Sequence, residues 1–310
     1  MAIYKVDGNR LSRAYNVNET LLSSAYNKAG DLVYSSGIVP DYANYSYTQQ
    51  WVSKSISYAQ GFDIYDDIAF WVSKSGNASE TNAMYIFNLS DGSPVLSPSY
   101  VSSYGGHGNN VTFSKQKYDV GDNYPMMLIS TAYPNSYSYL VRITNNYVAS
   151  IIRRYTIPEI DQIINGSYDI CYGETDDIAY VVSVFGSNSD QSLGTHICIA
   201  RFDMTDLTEN GDGSFTPAYI DSARCDWHYW KQGVKYHDGL IWLASGYPSY
   251  NADIYGINPE TGETKYHINC ETTTEIEGAV WYPDTEAVGG YALYVGFQGM
   301  MMRKYVFAQL

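Results

Sequence analysis

The chain has 310 residues, with 18 Lys and Arg against 33 Asp and Glu for a formal charge of −15, and 33 tyrosines dominate its 45% hydrophobic content. That length accommodates one domain of about 260 residues plus an appendage, and the acidic balance, without a basic stripe, excludes nucleic acid or an anionic membrane as partner. No run approaches the roughly 18 apolar residues of a membrane span, and the N-terminus lacks the apolar core of a signal peptide, so neither membrane insertion nor Sec-dependent export is expected.

The first 36 residues repeat with a period of eleven. Ile3 to Arg13, Ala14 to Ser24 and Ala25 to Ser35 align so that Tyr4, Tyr15 and Tyr26 recur in step, as do Leu11, Leu22 and Val33. Each unit offers two short strands around turns such as Asp7-Gly8 and Gly30-Asp31, with too few apolar anchors to bury a core alone. Residues 1–36 are therefore expected to pair with copies of themselves or to dock into a larger assembly; the bland alternative is a polar leader. Residues 37–50, rich in Pro, Ser, Asn and Tyr without periodicity, read as a linker.

From residue 51 onward short apolar runs alternate with Gly, Pro, Asn and Asp turns. The clearest unit lies between Trp230 and Cys270: a run to Tyr236, a His237-Asp238-Gly239 turn, Leu240 to Ser245, a loop, Asp253 to Ile257, a Pro/Gly turn, and an alternating run from Glu263 to Asn269. Four such runs predict a four-stranded antiparallel meander, the blade of a β-propeller, which cannot bury both faces alone and so implies siblings. Five opening dipeptides mark them: Gln60-Gly61, His107-Gly108, Gly166-Ser167, Gln232-Gly233 and Glu277-Gly278. Each precedes an apolar strand, with a small second residue where inner strands must approach closely.

Blade one is expected over Gly61 to Tyr65, Ile68 to Lys74, Ala83 to Leu89 and from Val95 onward; blade two over Val111 to Phe113, Met126 to Thr131, Tyr139 to Ile143 and Tyr147 to Tyr155. Blade three takes Tyr168 to Tyr172, Ile178 to Val184, His196 to Phe202 and Phe215 to Ile220. The last blade has three strands, Ala279 to Tyr282, Ala292 to Phe297 and Arg303 to Phe307, and Trp51-Val-Ser-Lys-Ser-Ile56 is predicted to be its fourth, closing the ring. The expected fold is all-β: a five-bladed β-propeller over residues 51–310, closed by an N-terminal strand and preceded by a small β-rich repeat segment.

The densest motif is Gly105-Gly-His-Gly-Asn-Asn-Val-Thr-Phe113, where glycines on both sides of His107 free the backbone and place an imidazole and two amides at a strand mouth. A ligand-contacting rim and a His that satisfies buried carbonyls are both open readings. No second histidine stands at metal-ligand spacing, so no metal site is expected. Three residues beyond the opening positions stand Asp63, Asn110, Asp169, Lys235 and Val280, with Glu277 in the opening column itself. A glycoside hydrolase needs two convergent carboxylates, about 5 Å apart for retention and wider for inversion. Strand alternation sends Glu277 and the two aspartates to opposite faces, and no catalytic residue is assigned.

The run Thr208 to Phe215 superficially has calcium-loop spacing, but it lacks an acid at the first ligand position and has Tyr219 where the bidentate Glu belongs, so a hairpin loop is expected. Asp226-Trp-His-Tyr-Trp230 is either an aromatic platform for a sugar or a plug between blades; Trp227 and Trp230, three apart, cannot both face one side of a strand. Cys171, Cys198, Cys225 and Cys270 have neither zinc nor CxxC spacing and are expected as reduced packing residues, with disulfides as the alternative.

At Gln60-Gly61-Phe62 and His107-Gly108-Asn109, followed by the strands Asp122 to Ser130 and Tyr139 to Ile143, the chain resembles a known family over about residues 50–310. It is similar to the five-bladed propellers of receptor-binding proteins from short-tailed staphylococcal phages and to teichoic-acid-associated propellers. The N-terminal repeats look like modules by which phage tail and fibre proteins attach to the particle. This resemblance implies a virion protein, made in the host cytoplasm, that adsorbs to a host surface glycan or wall polymer, with other virion proteins as partners through the N-terminal segment and with a homo-oligomeric state, a trimer among the options. No cofactor is expected. The expected ligand contacts are Gln60, His107, Asn109, Gln232 and Glu277. The competing expectations are a glycan-degrading enzyme and a non-adhesive structural component of the virion.

Overall fold

The computed structural model describes residues 3–7, 10–15, 24–26, 32–35, 40–52, 59–73, 83–100, 107–132, 137–158, 160, 168–185, 196–226, 231–285, 287–299 and 301–309. It is all-β; among the described residues the one helical element is a single 3-10 turn, Val288–Gly290. Strand β1 (Ile3–Asp7) pairs antiparallel with β2 (Arg10–Tyr15), and β3 (Ser24–Tyr26) with β4 (Leu32–Ser35), giving two separate hairpins. The β1–β2 register ends on Asp7 opposite Arg10; Gly8 and Asn9 lie outside the described residues. Gly30-Asp31 lies outside the described residues.

Strand β5 (Pro40–Val52) runs for 13 residues through most of the segment read as linker. The physical reason is its tyrosines. Tyr42 packs edge-on against Phe307 with ring centroids 5.2 Å apart, and Tyr45 and Tyr47 lie 5.5 and 5.3 Å from the Tyr305 ring. Tyrosine is a strong strand former and cross-strand aromatic pairs stabilise a sheet, which outweighs the scattered Ser and Asn.

Four up-and-down meanders follow. The first is β6 (Ala59–Tyr65), β7 (Ile68–Ser73), β8 (Ala83–Asn88) and β9 (Pro94–Tyr100); the second is β10 (His107–Phe113), β11 (Met127–Ala132), β12 (Tyr137–Ile143) and β13 (Ala149–Thr156). The third is β14 (Tyr168–Tyr172), β15 (Ile178–Phe185), β16 (His196–Glu209) and β17 (Phe215–Asp226); the fourth is β18 (Lys231–His237), β19 (Leu240–Ser245), β20 (Asp253–Ile257) and β21 (Thr264–Asn269). A single parallel pair, Tyr155 with Phe215, joins β13 to β17 and merges the second and third meanders into one eight-stranded sheet. The last sheet is ordered β22 (Ile276–Pro283), β23 (Tyr291–Phe297), β24 (Met301–Gln309) and β5. Its fourth strand thus comes from the N-terminal side, as the sequence predicted, but from Pro40–Val52 rather than from residues 51–56; residues 53–58 lie outside the described residues.

The tight hairpins have the expected chemistry. Asp66 and Asp67 between β6 and β7, and Asp238-Gly239 between β18 and β19, all have positive φ, the two-residue loop geometry whose twist matches that of the flanking strands. Thr208 to Phe215 is likewise a hairpin loop, between β16 and β17, with Asp212 holding the Ser214 N–H (3.0 Å) and accepting from the Tyr137 hydroxyl (3.0 Å).

The Cα positions divide the chain into two compact units. The smaller comprises Met1–Tyr47, Tyr282–Leu293 and Tyr305–Leu310, and holds both N-terminal hairpins and the tyrosine cluster on β5. The larger comprises Thr48–Trp281 and Tyr294–Lys304. Its core lies between consecutive meanders. Phe70 and Met84 of the first pack with Met127 and Val141 of the second; Leu128 and Leu140 pack with Ile170 and Phe202 of the third; Val182 and Ile197 pack with Ile241 and Leu243 of the fourth. A middle strand covered on both faces must be apolar on both, which is why β7 and β19 read as unbroken apolar runs while the outer strand β21 does not. All four cysteines are buried free thiols in this core. Trp51, near the end of β5, is buried on the first meander, donating its indole N–H to the Leu89 carbonyl (3.0 Å) with its ring 5.5 Å from Phe87.

Candidate functional site

The first strands of the meanders lie side by side, close enough to leave no room for ordinary side chains at one level. A Cβ on Gly61 of β6 would stand 2.7 Å from both the Asn109 carbonyl and the Asn110 Cα of β10. One on Gly233 of β18 would stand 3.3 Å from the Gly278 Cα of β22, and one on Gly278 would stand 3.4 Å from the Phe62 ring of β6. Asn110 ties the other strands in. Buried, it donates from Nδ2 to the Ile170 carbonyl of β14 (2.8 Å) and accepts at Oδ1 from the Val234 N–H of β18 (3.2 Å). The small-residue rule thus holds at Gly61, Gly233 and Gly278. It is corrected on β10, where the residue at this level is Asn110 and a Cβ on Gly108 would instead meet Val72 and Ile129 in the sheet core. Gly166-Ser167 lies outside the described residues.

Two buried ion pairs brace this hub. Lys231 of β18 reaches Asp169 of β14, both essentially without solvent exposure. Lys235, two turns of the pleat further along β18, meets Asp63 of β6 at 2.8 Å and also donates to the Val111 carbonyl and to Thr112 Oγ1 (3.3 Å). Asp63 further accepts from the Phe113 and Ile64 N–H groups, each at 2.8 Å. Burial pulls the Lys235 ammonium below its usual range while the Asp63 carboxylate pushes it back up. Each aspartate is therefore a satisfied anion opposite a lysine.

The sequence-predicted contacts begin the same strands. Gln232 and Glu277 flank the Gly233–Gly278 approach, and Gln60 and Asn109 flank that of Gly61. His107 opens β10 at Ala132, and its side chain lies outside the described residues. Gln232 Nε2 donates to Glu275 Oε1 (2.7 Å) and to the Gly246 carbonyl (3.2 Å), and Gln298 Nε2 donates to Glu275 Oε2 (3.1 Å). Sequence reasoning missed Glu275 and Gln298. The signal for Glu275 was its place two residues before Glu277, on the same side of an extended strand; for Gln298, in the turn after β23, there was none.

Glu277 is 2% exposed, and no hydrogen bond to its carboxyl is found among the described residues. Burial, and then the neighbouring Glu275, raise its carboxyl well above the ordinary carboxylate range; burial also raises Glu275, against the Gln232 hydrogen bond. The rim thus offers side-chain amides, a hydrogen-bonded carboxyl and a buried carboxyl, an assembly of donors and acceptors suited to hydroxyl groups. For Asp63 the alternation count is offset by a register shift in β6 between Ala59 and Phe62, whereas β14, which carries Asp169, pairs with β15 without a shift. No cluster of three or more metal-ligating side chains occurs among the described residues, and no helix among them is long and apolar enough to cross a membrane. Trp227 and Trp230 lie outside them.

No protein-family model and no curated protein matches the chain. Among solved structures it is similar to the tail fibre of Staphylococcus aureus phage P68, at 13% identity and a TM-score of 0.49, covering 88% of this chain and 54% of that one. It is also similar to a GH43 β-1,3-galactosidase with galactodeoxynojirimycin (11% identity, TM-score 0.46, 93% and 95% covered) and to a DUF4623 family protein from Bacteroides eggerthii (10%, 0.43, 81% and 59%). The chain spans about half the length of the tail fibre.

Proposed function

We propose that this chain is a virion receptor-binding protein that adsorbs to a host cell-surface glycan or wall polymer. Residues 51–310 form a five-bladed β-propeller closed by an N-terminal strand, its blades being the four meanders and the last sheet; in support, contacts run from β6 to β10, β14, β18, β22 and back to β6. The ligand lies over the ends of these strands at Gln60, His107, Asn109, Gln232 and Glu277, with Glu275 and Gln298 beside them. Residues 1–36 attach the protein to other virion components and to copies of itself.

One observation carries binding over hydrolysis: Asp63 and Asp169, the hub carboxylates a hydrolase would use, are each matched by a buried lysine. A single shallow sugar site yields only about 4 to 6 kcal/mol, millimolar to high-micromolar affinity, and copies joined through the N-terminal segment raise avidity by roughly 10² to 10⁴. The second reading, a glycan hydrolase, has in its favour the Glu277 carboxyl, which burial raises above the ordinary carboxylate range, the direction that suits a general acid. Pull-down of the purified protein on cell walls from a panel of bacterial hosts, before and after periodate, tests the proposal. Saturable binding lost on glycan oxidation is expected. No binding to any wall would overturn it, and release of reducing sugar that stops with Glu277→Gln would replace it with the hydrolase.

A further inference from the structure

A cavity of about 170 Å³ opens three to four residues further along the same first strands, which at about 3.3 Å per residue is roughly 10 to 13 Å from the Gln232 and Glu277 rim. Its floor is the Lys235–Asp63 pair, and its walls include Thr112, Tyr172, Tyr236 and Trp281. Lys115 and Asp176 also line it, and Lys115 is largely exposed. We infer that this cavity is a second ligand site, separate from the rim, that takes one neutral monosaccharide residue. It does not rest on the adsorption reading above.

Three observations define that ligand. The aromatic walls are preformed: Tyr236 is stacked on Tyr180 with planes 3° apart and centroids at 5.4 Å, and Trp281 is stacked on His237 at 4.9 Å and met edge-on by Trp242 at 4.8 Å. Rigid rings beside hydroxyl groups suit a sugar, whose C–H faces pack on aromatic surface while its hydroxyls reach polar atoms. Next, the charges are already balanced. The three protons of the Lys235 ammonium are directed to Asp63, Val111 and Thr112, Asp63 is matched by Lys235, and the Lys115 ammonium lies 3.9 Å from the Glu174 carboxylate. Finally, the groups left for a ligand include two neutral hydroxyls beside one carboxylate. Thr112 Oγ1 accepts from Lys235 and keeps its own proton to donate, and the Tyr236 phenol is pushed up to about 12 by burial, so it stays a donor. Asp176 is engaged by the Ser114 hydroxyl (2.8 Å) and the Lys115 N–H (2.9 Å) and offers its remaining lone pairs. The volume corresponds to five or six waters at about 30 Å³ each, on the scale of one sugar ring.

The test uses the full chain with ¹⁵N-labelled tryptophan, whose six indole N–H groups include that of Trp281, assigned with Trp281→Phe. The probes are the methyl glycosides of glucose, galactose and N-acetylglucosamine, with methyl glucuronide as the charged comparison. A saturable shift of the Trp281 resonance with at least one neutral glycoside is expected, weakened at least about fivefold by Tyr236→Phe, which removes one hydroxyl and keeps the ring stack. Tyr172→Phe supplies an independent variant should Tyr236→Phe fail to fold. The inference is overturned if no neutral glycoside saturates the signal, if neither hydroxyl deletion weakens binding, or if the glucuronide binds as well as the neutral sugars.

Discussion

Replacing Lys235 by Met leaves the Asp63 carboxylate buried without its cation. The ammonium meets Asp63 at 2.8 Å and is bonded to Val111 and Thr112, so β18 loses its ion pair to β6 and two of its bonds to β10 together, keeping the Val234–Asn110 bond. Met matches the lysine stem, so little cavity is created and the cost is electrostatic. Breaking one partner of such a pair costs about 3 to 5 kcal/mol, a large part of the 5 to 15 kcal/mol typical of a domain. At about 2 to 4 °C per kcal/mol for a domain of this size, the melting temperature falls by roughly 6 to 20 °C. Adding Asp63→Asn removes the buried charge while the side-chain oxygen still accepts from the Phe113 N–H. The double variant is therefore expected to recover most of the loss, to within about 1 to 2 kcal/mol of the parent. Urea and thermal unfolding of the parent, both single variants and the double variant measure this. A Lys235→Met protein within about 0.5 kcal/mol of the parent, or a double variant no better than the single one, would refute a hub held by paired charges.

Glu277→Gln gives a pH-dependent gain. A carboxyl whose folded value is raised contributes stability that is fully present below its unfolded value near 4.5 and lost as pH rises through the folded value. The Gln variant therefore melts higher than the parent at pH 7, with the difference closing by pH 4; a parallel offset at both pH values would contradict the burial of an unpaired carboxyl. Gly61→Ala forces a Cβ to within 2.7 Å of the Asn109 and Asn110 backbone, which cannot swing aside as a side chain could. A loss of about 1 to 3 kcal/mol in urea titration is expected. Trp51→Ala deletes the ring that anchors β5 on the first meander, at a cost of about 3 to 5 kcal/mol read by calorimetry.

Strand placement was legible because turn chemistry and apolar runs are local. Asp66-Asp67 and Asp238-Gly239 sit in turns as predicted, and the strands from β6 through β24 begin within a few residues of their predicted starts, although β16 ends at Glu209 rather than Phe202 and β17 at Asp226 rather than Ile220. The strand β5 was missed because its tyrosines matter through distant partners, Tyr305 and Phe307, that composition alone does not reveal. Strand irregularities were hidden for a similar reason. A one-residue shift in β6, β10 and β18 inverts which side a residue faces, and nothing in Gln60 to Asp63 or His107 to Asn110 announces it. The dipeptide ruler found Gln232 and Glu277 together, yet Asp63, which a column count offered as a catalytic candidate, is bound to a lysine 172 positions later in the chain.

The most direct measurement compares adsorption of Gln232→Ala and Gln298→Ala with the parent on the same host wall preparation, alongside thermal unfolding and a reducing-sugar assay. Both amides hold Glu275 at the rim and neither belongs to the lysine pairs. Adsorption lost at least about tenfold, with melting temperature nearly unchanged and no sugar released by any protein, is the predicted result. Undiminished adsorption by both variants, or sugar release by the parent, would contradict a rim that binds without cleaving.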